Sequence, residues 1–144
     1  MNQNPYQAPG MYAPPPSGIA VGAPSRTLFI LAGVGAFLAS GYWALMTLLL
    51  VAGMAAGTVS GTTLIFPVIL IVLYALRGLQ IMKGDVAATR RILWLHGVGA
   101  IAAMVQMASG NIILIAMNVI KICVHIFGGT MAFLAHRSAS QVRG

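Results

Sequence analysis

Three features predict an all-α fold, a polytopic membrane protein with four transmembrane helices in an up-down antiparallel bundle behind a disordered N-terminal tail. Four apolar runs reach the length of a bilayer crossing. Of the 144 residues, 59% are hydrophobic and 6% charged, too little polar surface for a soluble globule. Seven of the eight basic side chains, Arg26, Arg77, Lys83, Arg90, Arg91, Arg137 and Arg143, fall towards the ends of those runs, and only Lys121 lies near the middle of one.

Residues 1–26 hold six of the seven prolines and no charge before Arg26. Such a stretch cannot bury enough apolar surface to offset its ordering entropy, and reads as a disordered, partly polyproline-II tail. Tyr12-Ala13-Pro14-Pro15-Pro16 has the composition of a ligand for an aromatic groove, although an uninvolved tail is the simpler expectation. The first apolar run starts too far from Met1 for a signal peptide, so it is expected to stay as an uncleaved anchor.

The bundle is expected over 27–137. Its first helix covers about 27–57, 31 residues or ~46 Å, longer than the ~30 Å hydrocarbon slab. Ala36, Ser40, Trp43 and Thr47 share one face, where small and polar residues let a neighbour approach closely. Gly53, Gly57 and Gly61, among Thr58, Ser60, Thr62 and Thr63, read as a flexible exit. The second helix, about 63–83, carries Pro67 near its start, where a missing amide donor is either harmless or kinks the helix. Tyr74, Arg77 and Gln80 line one side near its end, with Arg77 snorkelling to the interface. Gly84-Asp85 predicts a tight reversal, with Asp85 capping the third helix, about 86–108. The fourth helix covers about 111–136 and leaves 138–144 as a short tail.

The third and fourth helices carry the unusual chemistry. At 100° per residue, Asn111, Asn118, Lys121, His125, Gly129, Ala132 and His136 fall within ~80° of one another. Lys121 is about 15 Å along its helix, close to mid-membrane, where a lysine costs about 3 kcal/mol. The apolar residues around it are numerous enough for the helix to insert if this stripe meets protein or water. On the third helix His96, Gly99, Ala100, Ala103, Gln106 and Gly110 share a ~120° face. The short Ser109-Gly110-Asn111 turn sets that face against the stripe, with His96 within a helical turn of Lys121 and His125. The expected intramembrane polar cluster is therefore His96, Gln106, Asn118, Lys121 and His125.

The seven basic residues fall beside the tail, the middle turn and the C-terminus, and the other two turns carry none, so both termini are expected in the cytoplasm. Scattered at helix ends without aromatic neighbours, they do not form a nucleic-acid surface. Asp85 is the only acidic side chain, which excludes paired-carboxylate catalysis. The lone Cys123 lies ~140° from Asn118 on the helix and supplies neither a disulfide nor a thiolate cage. Neither a nucleophile with a base and orienting acid nor a nucleotide-binding glycine loop is present. No enzyme activity, metal or cofactor is expected.

Three functions remain open. The leading expectation is a non-enzymatic membrane protein acting through helix contacts, as an accessory or assembly-forming subunit in a homo-oligomer or beside another membrane protein. A transporter or channel subunit would instead route anions past Lys121. A membrane anchor could hold haem between His96 and His125. The opening Asn4-Pro5-Tyr6-Gln7-Ala8-Pro9 followed by four apolar runs resembles small four-helix bacterial membrane proteins with a proline-rich N-terminal tail. That resemblance implies the bacterial inner membrane and no particular activity.

Overall fold

The computed structural model describes residues 24–107 and 112–142. The expected tail over residues 1–23, the Ser109-Gly110-Asn111 turn and Arg143 lie outside them. Four α-helices follow one another: α1 (Arg26–Ala55), α2 (Ile65–Met82), α3 (Val86–Gln106) and α4 (Ile112–Gln141), with a 3-10 turn at Gly61–Leu64 before α2. No strand occurs among the described residues. Arg26–Ala55, Gly61–Met82 and Ile112–Gln141 are long and apolar enough to cross a membrane. Helix α3 is not among the three: Arg90, Arg91, five alanines and two glycines dilute its apolar content.

Local chemistry explains the boundaries. Helix α1 ends where Gly57 takes a positive φ of 72°, a conformation that costs a side-chain-bearing residue but not glycine. Pro67 is the third residue of α2, inside the first turn, where amide hydrogens have no intrahelical acceptor. Gly84 reverses the chain at φ 89°, and the Asp85 carboxylate accepts from the Ala88 amide at 3.1 Å to cap α3. Helix α4 runs on to Gln141, through residues expected as tail. Two contacts hold those last turns: Ala139 is buried in the core, and the Ser25 amide donates to the Ser138 hydroxyl at 3.0 Å.

Small residues set the packing. A Cβ added at Gly33 would meet Met82 and the Gly78 carbonyl, and one at Gly78 would meet Ala36 and the Gly33 carbonyl, so α1 and α2 cross with backbones nearly touching. The Ser40 hydroxyl adds a bond to the Ile71 carbonyl at 3.1 Å. Gly35 presses on the Gly128 backbone where α1 crosses α4. In each pair one residue number rises as the other falls, so these neighbours run antiparallel. In a hydrocarbon solvent, such close approach supplies much of the dispersion energy that holds helices together. Alanines 32, 36, 39, 132, 135 and 139 line the core, with Phe29, Tyr74, Ile81 and Ile92 filling the space between them. The close pairs are α1 with α2, α1 with α4, and α3 with α4; the seam between α2 and α3 is the loose one.

Two glycines of α1 separate packing from flexibility. Gly35→Val is expected to destabilise the protein by about 1–3 kcal/mol through overpacking against Gly128. At Gly41 nothing lies within 4 Å of an added Cβ, so Gly41→Ala is expected to be neutral or to stabilise by up to about 1 kcal/mol. Unfolding in mixed micelles, followed by circular dichroism, measures both.

Candidate polar site

The buried positions of α4 are Asn118, Lys121, His125, Gly128, Ala132, Ala135 and Ala139, alternating by three and four residues. That average of 3.5 is the spacing of helices that coil around one another. The straight-helix stripe drifted: Gly129 and His136, expected on it, are only half-buried, and Gly128 and Ala135 take the inward places. Asn118, Lys121 and His125 keep theirs, at 5%, 3% and 2% exposure.

His96 of α3, 1% exposed, meets His125 with the two Nδ1 atoms 3.0 Å apart. One imidazole donates through Nδ1–H and the other accepts, which gives the pair opposite tautomers when both are neutral. Tyr74 of α2 lies over both rings, with centroid distances of 5.2 Å to His96 and 5.9 Å to His125. Each ring sits on a glycine of the facing helix. A Cβ on Gly99 would strike the His125 ring, and one on Gly128 would strike the His96 ring. The sequence His-x-x-Gly thus occurs once in each helix, His96 to Gly99 and His125 to Gly128, and the two copies interlock reciprocally. Both Nε2 atoms are buried without a hydrogen-bond partner among the described residues. An unsatisfied buried group of this kind costs about 1–3 kcal/mol.

About one turn from the pair, the Lys121 ammonium donates to the Gln106 side-chain carbonyl at 3.4 Å and lies 4.8 Å from the centre of the Trp43 ring. A ring face attracts a desolvated cation, by roughly 2 kcal/mol at best. Trp43 is held edge-on by Tyr42 and Phe66, at 5.7 Å and 5.9 Å between ring centres, and its Nε1 is buried without a partner. No carboxylate reaches this group: Asp85, the single acidic side chain, is engaged in capping α3. Two cavities meet at Trp43, Gln106 and Lys121. One, of about 490 Å³, extends along Met46, Val105, Leu114 and Asn118; the other, of about 340 Å³, occupies the α2–α3 seam beside Leu70, Tyr74, Gly99 and His125.

All five residues of the expected cluster are thus brought to one region. The haem arrangement does not fit. Axial ligands approach one iron from opposite sides at about 2 Å each, whereas these rings abut directly, Nδ1 to Nδ1 at 3.0 Å, with their planes 66° apart. Tyr74, expected on one side of α2 with Arg77 and Gln80, parts from them. Those two bond to each other at 2.6 Å, and Tyr74 turns inward at 1% exposure. The buried positions of α2, Pro67, Leu70, Tyr74, Gly78 and Ile81, place its ring on the inner face. Outside the cluster, the His136 Nδ1 lies 3.3 Å from the Thr89 hydroxyl and ties the end of α4 to the start of α3. Among the described residues no three histidine, cysteine or acidic side chains gather closely enough to hold a metal ion. Comparisons with protein-family models, curated proteins and solved structures give no match.

The reciprocal seats predict a specific coupling. Gly99→Ala is expected to lower stability by about 1–3 kcal/mol in the native background and by less than about 0.5 kcal/mol once His125→Ala has removed the opposing ring. Gly97→Ala, where nothing lies within 4 Å, serves as the control and is expected to cost nothing. A double-mutant cycle from micellar unfolding curves gives the coupling directly.

Proposed function

We propose that this chain is a non-enzymatic integral protein of a bacterial inner membrane that acts through helix contacts, as an accessory or assembly-forming subunit in a homo-oligomer or beside another membrane protein. The observation that carries the reading is the way the polar side chains are used. His96 and His125 face each other on glycine seats, Thr89 meets His136, and Lys121 meets Gln106, so the polar groups join helices and do not form a reacting set. Four crossings with both termini in the cytoplasm suit this arrangement. Helix α3 is short of apolar residues, but it is matched to α4 from Thr89 to Gln106, and its buried polar side chains, Thr89 and His96, need not meet lipid. Arg26, Lys83, Arg90, Arg91 and Arg137 stand at one end of the bundle, where the positive-inside rule favours cytoplasm. Purified in mild detergent, the protein is expected to have a protein mass of at least twice 15.0 kDa or to copurify with a membrane partner. A strict monomer without partners would refute the reading.

A second reading, a transporter or channel subunit, draws on the two cavities that meet at Lys121. It expects anion flux in proteoliposomes that drops at least tenfold in Lys121→Met. Flux that is absent, or unchanged by the substitution, removes it.

A further inference from the structure

Lys121 is the tenth residue of α4, about 15 Å from the helix start. Its ammonium has the neutral Gln106 carbonyl at 3.4 Å and the Trp43 ring at 4.8 Å, and the only acidic side chain of the chain caps α3 elsewhere. A buried cation without a counter-charge is an unfinished interaction. The same residue closes one end of the 340 Å³ cavity in the α2–α3 seam, a volume within the ~300–1,000 Å³ of small-molecule sites. The walls are apolar, chiefly Leu70, Leu73, Leu95 and Ala102. From Phe66 to Tyr74 along α2 the cavity extends about 12 Å. Two of its lining residues, Ile69 and Val98, are 49% and 62% exposed. Trp43 and His125 also border it.

We infer that this seam binds a single-chain carboxylic amphiphile of the fatty-acid class, with its carboxylate paired to Lys121 and its hydrocarbon chain between α2 and α3. The charge calls for an anion and the walls for a hydrocarbon chain. The depth excludes a bilayer phospholipid, whose phosphate is anchored at the interface about 15 Å away. A free acid crosses in its neutral form and has no such anchor, so its head group can reach the ammonium. There the carboxylate supplies the missing counter-charge and leaves a pair with no net charge. The inference does not depend on assembly, since a monomer has the same seam.

The test uses the full-length protein in phosphatidylcholine nanodiscs with Trp94→Phe. Trp94 is 71% exposed, and its removal leaves Trp43, on the cavity wall, as the only tryptophan. Dibromostearate is expected to quench Trp43 saturably. Oleate should displace it, and methyl oleate, with the same chain and no charge, should do so at least tenfold less well. Lys121→Met is expected to weaken binding at least tenfold. Val98→Phe, which fills the seam at an exposed position and leaves Lys121 untouched, should also weaken it, so a folding defect in one variant does not decide the result. Equal displacement by methyl oleate or by a neutral quinone overturns the proposal. Quenching that never saturates also overturns it, as expected if ordinary bilayer lipid or a partner helix covers the seam.

Discussion

Keeping one ammonium and two imidazoles out of hydrocarbon is the constraint on which the bundle depends. Facing hydrocarbon, each would be left without a partner, at about 3 kcal/mol for the lysine alone. Helices α3 and α4 therefore turn His96, Lys121 and His125 towards each other and fix their relative rotation. Once that rotation is set, the remaining surfaces follow. Helix α1 lays its alanine and glycine face over α4, α2 packs on α1 through Gly33 and Gly78, and the large apolar side chains are left pointing outwards.

The same constraint dictates where glycine is needed. An imidazole is too bulky for two helices to touch unless the opposite helix has no side chain at that level, and Gly99 and Gly128 meet this condition in turn. The two His-x-x-Gly segments therefore act as one unit. Neither histidine can be accommodated without the other helix's glycine, and each ring leaves its Nε2 unsatisfied in the process. Stability given up in those two atoms is exchanged for a unique register between α3 and α4, in the way that polar groups in coiled coils fix register at a cost.

Much of this was legible in the chain. The apolar runs located all four helices, Gly84-Asp85 announced its turn, and the five cluster residues could be named because a polar residue inside an apolar run has few places to go. Misplacements had geometrical causes. A straight helix of 3.6 residues per turn put Gly129 and His136 on the inner face, but the α4 burial pattern repeats every 3.5 residues and selects Gly128 and Ala135. Tyr74 was grouped on one side with Arg77 and Gln80, because an amphipathic ring suits either interface or core and only tertiary packing decides between them. The extension of α4 to Gln141 depended on contacts with the start of α1, a partner more than a hundred residues away in sequence.

The loose seam is itself a consequence of the polar lock. Tyr74 and Phe66 stand two turns apart on α2; Tyr74 leans at a tilt against the imidazoles and Phe66 is braced against Trp43. Between these two supports α3 presents Gly99 and Ala102, side chains too small to reach across. Enlarging position 99 would strike His125 before it filled anything, so the lock that holds α3 to α4 also keeps α3 thin where it faces α2. An apolar cavity bordered by a buried cation therefore follows from placing histidine, glycine and lysine together on two short-linked helices, and it persists as long as that trio is kept.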